Sequence, residues 1–189
     1  MIPPKILFTG FKPFAGRPVN GSETIVNFLK TWKSSYTIKT AIMDVVWGEV
    51  ERKGLAAITS FGPDMVLALG EGEPGIVAME TAAVNRRTGT DISGRDAGGE
   101  IEPDGPAKRL SRFCCFMTDC QDYAFPVSIS TNAGLFLCNN ALYSFLGMDV
   151  RRVLFAHLPP QGKAPNKKYI DSIFPIVKDL LKSNFPWID

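Results

Sequence analysis

The sequence contains one histidine, and its position is suited to chemistry. His157 ends the apolar run VLFA and precedes Leu158, Pro159 and Pro160. If VLFA is a buried strand of an α/β sheet, His157 lies at the carboxyl end of that strand, where ligands and catalytic groups gather. An imidazole there is suited to acid–base chemistry near neutral pH. The alternative is a histidine at a strand end whose ring is satisfied by a backbone partner.

A second candidate is Cys138, which lies near the start of a predicted helix in the segment ISTNAGLFLCNN. The positive end of the helix dipole favours the thiolate, which is the nucleophilic form of cysteine. The same position also suits core packing, because Leu135, Cys138 and Leu142 share one helical face and cysteine is often buried. Taken alone, Cys138 leaves both interpretations open.

The third candidate, Glu80, interrupts an apolar segment between IVAM and TAAV. A carboxylate there is costly to bury unless it is paired, although on an alternating strand it would face solvent instead. A cysteine, the only histidine and an isolated acid therefore all fall at the ends of predicted elements. Each residue alone is weak evidence, but their common position at element ends favours a shared chemical role.

The elements that must position these residues alternate along the chain. Apolar or β-branched runs predict strands, and apolar residues at helical spacing predict helices. The predicted strands are 5–10, 36–46, 65–69, 76–84 (with a helix as the alternative), 125–130 and 153–158; the predicted helices are 22–32 with Ser22 as N-cap, 49–61, 107–120, 133–146 and 169–182. A long polar loop is predicted over 85–107. This alternation indicates an α/β fold with a mostly parallel sheet.

Glycines at 70, 72 and 75 form the pattern G-x-G-x-x-G after a buried strand, as in dinucleotide-binding sites. Glu71 and Glu73 would repel a pyrophosphate, and Pro74 removes an N–H group that would bind it. No second strand ends in an acidic residue about 20 residues later to bind a ribose. The pattern is interpreted as a turn.

Length, composition and cysteine spacing exclude several classes of protein. The 189 residues fit one domain, 1–189, and a net charge of +2 with scattered Lys and Arg indicates no nucleic-acid or membrane partner. The start, MIPPKILFTG, does not resemble a signal peptide, and the longest apolar runs are far below the roughly 20 residues of a membrane span. We therefore expect a cytoplasmic protein with free thiols. Cys114, Cys115 and Cys120 show no recognised metal-binding spacing, and no metal site is expected.

Four motifs occur in order between residues 5 and 160. They are T-G-F-x-P-F-x-G at 9–16 followed by Asn20 and Ser22, M-E-x-x-A-x-N at 79–85, S-x-N-A-G-x-F-L-C-N at 130–139 and F-x-H-x-P at 155–159. Together they resemble the opening, the catalytic-glutamate segment, the nucleophile segment and the histidine segment of pyroglutamyl peptidase I, the pyrrolidone-carboxylate peptidase family. Four ordered motifs with an intact Cys–His–Glu set are specific, whereas any one alone would not be.

The resemblance implies a three-layer α/β/α sandwich with a twisted, mixed, mostly parallel sheet, a homo-oligomer (dimer or tetramer) and no metal or organic cofactor. It implies that Cys138 attacks the carbonyl after an N-terminal pyroglutamyl residue, while His157 moves the thiol proton to the departing amine and Glu80 orients the imidazole. Water then hydrolyses the thioester. The implied substrate is a small peptide with a blocked N-terminus. Phe11 and Phe14 resemble the aromatic residues that bound the pyroglutamyl ring, with ordinary core packing as the alternative.

Several features depart from the family's pattern. The chain is shorter than typical members, and Thr90 stands where many carry an arginine, with Arg86 and Arg87 placed earlier. The loop over 88–100 is rich in glycine. Glu71 stands where many bacterial members carry glutamine near the ring site; a carboxylate there would disfavour the lactam carbonyl or favour a cationic N-terminal group. The alternatives are therefore a related cysteine hydrolase of different specificity and a non-enzymatic binding protein with the same fold.

Overall fold

The computed structural model describes residues 2–112 and 122–188. Within these ranges the chain forms eight strands: β1 Lys5–Phe11, β2 Thr37–Met43, β3 Met65–Glu71, β4 Val77–Glu80, β5 Ala82–Val84, β6 Lys108–Leu110, β7 Val127–Ser130 and β8 Arg152–Leu158. Six of them form one sheet in the order β2-β1-β3-β8-β4-β7, and β5 pairs with β6 separately. Strands β1, β2, β3 and β8 run parallel, whereas β4 is antiparallel to β8 and parallel to β7. The sheet is mixed and mostly parallel, as predicted.

Helices cover both faces of this sheet. They are α1 Gly21–Thr31, α2 Ala56–Phe61, α3 Leu137–Leu146 and α4 Asn166–Asn184, and a π-helical segment, Val50–Leu55, leads into α2. One apolar cluster joins α1 and α4 to the sheet, and a second joins α2, α3 and the π-helical segment to the opposite side. These three layers confirm the predicted α/β/α sandwich.

The alternation of side chains along each strand assigns residues at the strand ends to one side of the sheet. On β8, Phe155 packs into the cluster under α3, and Ala156 packs into the cluster under α1 and α4; on β3, Leu69 belongs to the latter cluster. His157 is two residues beyond Phe155 on β8, so it lies on the side of α3, here called the α3 face. In the same way, Glu71 is two residues beyond Leu69 on β3, so it lies on the side of α1 and α4, here called the α1/α4 face.

Two predicted segments need correction. The segment 76–84 is not one strand: β4 ends at Glu80, and after Thr81 the chain pairs with β6 in the small sheet. The helix predicted over 107–120 is wrong at its start, because Lys108–Leu110 forms β6 against β5. Residues 113–121, which include the three clustered cysteines, lie outside the described residues.

Helix boundaries differ from the predictions in ways that affect the site. The N-cap of α1 is Asn20 rather than Ser22, because Asn20 Oδ1 accepts a hydrogen bond from the Ser22 N–H at 2.9 Å. Helix α3 begins at Leu137 rather than 133, after the extended Phe136, so Cys138 lies in its first turn. The predicted loop over 85–107 contains no helix and no named strand. None of the helices in the described ranges is long and apolar enough to cross a bilayer.

Candidate active site

Adjacent antiparallel strands bring Glu80 and His157 together. Ala78 of β4 is paired with His157 of β8 and Glu80 with Phe155, so Glu80 and His157 are diagonal neighbours across the two strands. His157 Nδ1 lies 2.8 Å from Glu80 Oε1, and the Nδ1–H donates to the carboxylate. The side chain of Glu80 is only 2% exposed and that of His157 is 14% exposed. A buried carboxylate in an apolar segment needs a partner, and His157 is that partner.

Cys138 approaches the same histidine from the facing helix. It is the second residue of α3, is half-buried, and interacts with His157, whose pKa it raises. Gly70 of β3 leaves room for the sulfur, because a Cβ at this position would lie 3.0 Å from Cys138 Sγ and 2.7 Å from the Phe155 ring. Cys138, His157 and Glu80 therefore meet at one place, between the start of α3 and the end of β4.

The surroundings of His157 change its proton affinity. Burial acts to lower its pKa, because desolvation disfavours the imidazolium. Hydrogen bonds to Cys138 and Glu80, and the negative charges that these groups carry when ionised, act in the opposite direction and prevail. The pKa of His157 is raised from 6.5 to about 10. The arrangement therefore favours a protonated ring at neutral pH.

Two glycines of the G-x-G-x-x-G pattern pack against these residues. Gly70 makes room for Cys138, and Gly72 donates its N–H to Leu158 O at 2.8 Å. A Cβ at Gly72 would lie only 2.6 Å from His157 Cβ. The interpretation of the pattern as a turn therefore missed two positions where the site requires glycine. The spacing of the glycines was the available signal, but the residues that they pack against come from distant parts of the chain.

The two phenylalanines proposed from the sequence lie on the α3 face. Phe11 is the last residue of β1 and is buried in the cluster under α3. Phe14, in the loop after β1, is half-buried against the same cluster, as Cys138 is. The structure thus places both rings on the side of the sheet that carries Cys138 and His157. Their role in substrate binding stays a prediction.

Asn139, beside Cys138, connects the start of α3 to the segment that follows Glu80. Its Oδ1 accepts a hydrogen bond from the Val84 N–H at 2.9 Å, and its Nδ2 donates to Val84 O at 2.9 Å and to Arg86 O at 2.8 Å. Asn139 is 1% exposed. The sequence identified it only as part of a motif, because its backbone partners become visible only once β5 lies beside α3.

The loop over 88–100 packs against the residue before α3. Trp47 Nε1–H donates to Gly89 O at 3.0 Å, and the Trp47 ring meets Phe136 edge-on at 5.0 Å. The backbone N–H of Trp47 donates to Asp91 Oδ2 at 2.8 Å. Burial acts to raise the pKa of Asp91, but hydrogen bonds from neighbouring N–H and O–H groups prevail and lower it to about 2. Ionised Asp91 therefore holds this loop in place beside the first turn of α3.

The sequence profile of the pyroglutamyl peptidase family matches residues 4–160. This range contains Cys138, His157 and Glu80. The chain belongs to the pyroglutamyl peptidase family. Membership makes it a cysteine-type omega peptidase that removes N-terminal pyroglutamate from peptides.

Individual relatives agree with this assignment, and a solved structure agrees with the fold. The pyrrolidone-carboxylate peptidase of Streptomyces coelicolor is 31% identical over 182 residues, which are 85% of this chain and 83% of that protein. The enzyme of the same name from Lactobacillus acidophilus is 30% identical and covers 82% of this chain and 83% of its own length. Among solved structures, pyrrolidone carboxyl peptidase from Pyrococcus furiosus superposes with a TM-score of 0.81 at 23% identity, covering 94% of this chain and 98% of that chain. This last likeness concerns the fold alone.

The departures from the pyroglutamyl peptidase pattern occupy defined places. Thr90 is exposed and its hydroxyl lies 3.4 Å from Asp96 Oδ1, so the position of the family's arginine is on the surface of the loop. The Glu71 side chain is 2% exposed, points to the α1/α4 face and forms an ion pair with Arg17. Among the described residues, no group of three or more His, Cys, Asp or Glu is placed to hold a metal ion.

Proposed function

We propose that Cys138, His157 and Glu80 are the catalytic triad with which this pyroglutamyl peptidase hydrolyses the bond after an N-terminal pyroglutamyl residue. The observation that carries the proposal is the 2.8 Å hydrogen bond between Glu80 and His157, together with the interaction of His157 with Cys138 on its other side. The three residues come from α3, β8 and β4, and a purely structural histidine does not require a thiol on one side and a buried carboxylate on the other. This is the geometry of a nucleophile, a base and an orienting acid.

In this mechanism the thiol proton resides on His157, and Cys138 Sγ attacks the carbonyl carbon of the pyroglutamyl residue. Backbone N–H groups in the first turn of α3 would stabilise the resulting oxyanion. His157 then donates its proton to the departing amine as the C–N bond breaks, which leaves a pyroglutamyl thioester on Cys138. Water attacks the thioester while His157 takes one of its protons. Cleavage of the C–S bond releases pyroglutamate and restores the thiol–imidazole pair. Glu80 holds the ring orientation and stabilises the imidazolium throughout.

Phe11 and Phe14 would bound the pyroglutamyl ring. The lactam has no charged amine, so an apolar slot on the α3 face accepts it without the cost of desolvating a charge. A free amino-terminal residue would bear that cost without a partner. Phe11 belongs to the apolar cluster under α3, and Phe14 and Cys138 both pack against that cluster, which supports this role.

Glu71 bears on the alternative of a hydrolase that selects a cationic N-terminus. Such a receptor would need its carboxylate free on the α3 face. Instead, the side chain of Glu71 is 2% exposed, turned to the α1/α4 face and paired with Arg17. The structure therefore favours selection of the uncharged ring over a cationic group.

The decisive experiment compares pyroglutamyl anilide with prolyl anilide, which has the same ring size but a charged amine in place of the lactam. We expect turnover of the pyroglutamyl substrate only, and a loss of at least about a thousandfold in Cys138→Ser. A variant that keeps Cys138 and replaces the cysteines at 114, 115 and 120 by serine is the matched control and should stay active. One equivalent of iodoacetamide should then abolish its activity. Turnover of prolyl anilide would establish the other specificity, and no turnover with an unreactive Cys138 would favour a binding protein.

We also propose that the chain acts in the cytoplasm as one peptidase domain and assembles as a dimer or tetramer. Two exposed apolar side chains support self-association: Ile129, on the sheet-edge strand β7, is 52% exposed, and Leu110 is 64% exposed. Light scattering of the purified protein measures the assembly, and a monomeric mass would contradict it.

A further inference from the structure

We propose that Arg17 and Glu71 form a latch that holds the loop of residues 12–20, and with it Phe14, beside the Cys138–His157 site. The latch thereby sets the affinity for the substrate ring. This inference rests on the proposed function, because it takes Phe14 as a ring-binding residue. Arg17 is a positioning residue in this scheme, since it acts through Phe14.

The latch joins the loop to β3 through a single side chain. The Arg17 guanidinium pairs with Glu71 Oε2, and its Cζ lies 5.1 Å from the centroid of the Phe14 ring. This distance is within the range of cation–π attraction. Arg17 therefore contacts the proposed ring-binding residue and the end of a central strand at the same time.

The loop needs such a contact because its turn is not favoured by local preference. Ala15 has a φ of 52° and Gly16 a φ of 72°, and the Arg17 N–H donates to Phe14 O at 3.1 Å to close the turn. Glycine tolerates the left-handed region, but alanine is disfavoured there by its Cβ. Contacts beyond the turn must therefore stabilise the conformation that directs Phe14 towards the cluster under α3.

The other half of the latch is firmly placed. Glu71 lies between Gly70 and Gly72, the two residues whose missing Cβ atoms leave room for Cys138 and His157. Its Oε1 lies 3.5 Å from the Gly21 N–H at the start of α1, where the helix dipole favours a negative charge. The latch thus fixes the Phe14 loop relative to the same strand end that packs against the nucleophile and the histidine.

The test is Arg17→Gln, which removes the charge and the fork of donors at a side chain that is 48% exposed. We expect KM for pyroglutamyl anilide to rise about tenfold, as for loss of a charged hydrogen bond, with kcat changed less than about twofold. Hydrogen exchange of residues 12–20 should accelerate, while the rate of iodoacetamide alkylation of Cys138 should stay the same. Arg17→Lys keeps the charge and should restore part of the affinity.

Lys167→Gln is the matched control, because it neutralises a lysine in the exposed ion pair with Asp171 on α4. It should change neither KM nor exchange in the loop. The double variant Arg17→Gln/Glu71→Gln should bind substrate no more weakly than Arg17→Gln alone, since both changes open the same latch. Unchanged KM in Arg17→Gln would overturn the inference. If the wild-type protein turns over no pyroglutamyl substrate, the proposed function fails, and with it the effect of the latch on ring affinity. Exchange in 12–20 still shows separately whether the ion pair holds the loop.

Discussion

Glu71 and Glu80 are the last residues of β3 and β4, and both side chains are only 2% exposed. Their side chains nevertheless lie on opposite faces of the sheet and pair with different residues. Glu80 pairs with His157 on the α3 face, beside Cys138. Glu71 pairs with Arg17 on the α1/α4 face. The difference between them lies not in their burial but in the face of the sheet and in the partner.

The partner decides what each carboxylate can do. A buried carboxylate is costly unless it is paired, and both glutamates meet that requirement. Histidine gains and loses a proton within the range of enzyme chemistry, so the Glu80–His157 pair can take part in proton transfer. Arginine stays protonated, so the Glu71–Arg17 pair can only hold parts of the molecule together. The same residue type therefore serves chemistry on one face and position on the other.

The largest expected effect comes from comparing Glu80→Gln with Glu71→Gln. Glutamine keeps the shape of glutamate but removes the charge that orients and stabilises the His157 imidazolium. We expect Glu80→Gln to lower kcat by about a thousandfold, by analogy with the acid of the serine triad. Glu71→Gln should act on KM rather than on kcat, because it opens the latch without touching His157. Steady-state kinetics with pyroglutamyl anilide measures both.

Thermal unfolding of the two glutamine variants supplies the control, since a variant that is unfolded at the assay temperature gives no information on mechanism. Similar losses of kcat in both would show that the two carboxylates do not differ as their partners suggest. A loss confined to KM in Glu80→Gln would remove Glu80 from the chemistry.

A smaller effect is expected from Gly72→Ala. The added Cβ would lie 2.6 Å from His157 Cβ, so the backbone or the imidazole must shift by a fraction of an ångström. We expect kcat to fall between about tenfold and a hundredfold, because small misplacements of a catalytic group are costly. Gly98→Ala is the matched control, as a Cβ at Gly98 meets nothing within 4 Å. Equal activity of the two variants would show that His157 tolerates the displacement.

Much of the scaffold could be predicted because burial leaves a direct trace in the sequence. The apolar runs that become β1, β3 and β8 are buried along nearly their whole length. The predicted limits of these strands agree with the structure to within two residues. Strand β6 escaped prediction, because the residues Lys108–Leu110 are largely exposed and form a strand only through pairing with β5. The passage of the chain from the large sheet to the small one at Thr81 was not predicted for the same reason. The N–H and hydroxyl of Thr81 both donate to Ser130 O, a partner distant in the sequence.

The candidate site was predictable as a set of residue types but not as an arrangement. Cys138, His157 and Glu80 stood out because each is chemically unusual in its segment. The latch did not, since Arg17 and Glu71 are 54 positions apart and only the parallel sheet brings them together. For Glu71, the family resemblance implied a carboxylate near the ring site, whereas alternation along β3 turns it to the opposite face of the sheet. The direction of a side chain at a strand end depends on register, which the sequence alone did not define.

The smallest expected effect is a change in the pKa of His157. Titration of this residue compares the two faces of the sheet most directly. His157 is the only histidine, so its ring Cε1–H signal in NMR needs no assignment. We expect a midpoint near pH 10 in the wild-type protein, in accord with the raised pKa. Since the folded pKa exceeds the usual 6.5, protonation of His157 stabilises the fold fully below about pH 6.5, and this contribution is lost as the pH rises towards about 10.

Substitutions on the two faces of the sheet should change the midpoint of the His157 titration by different amounts. Cys138→Ser replaces an ionisable thiol by a neutral hydroxyl and so removes a negative charge that raises the pKa of His157; its midpoint should fall by at least about one pH unit, a tenfold change in proton affinity. Glu71→Gln should leave the midpoint within about 0.3 units, because Glu71 lies across the sheet and its charge is paired with Arg17. A wild-type midpoint near 6.5 would mean that Cys138 and Glu80 do not stabilise the imidazolium. His157 would then have to act as a neutral base that takes the thiol proton only during the attack on the substrate.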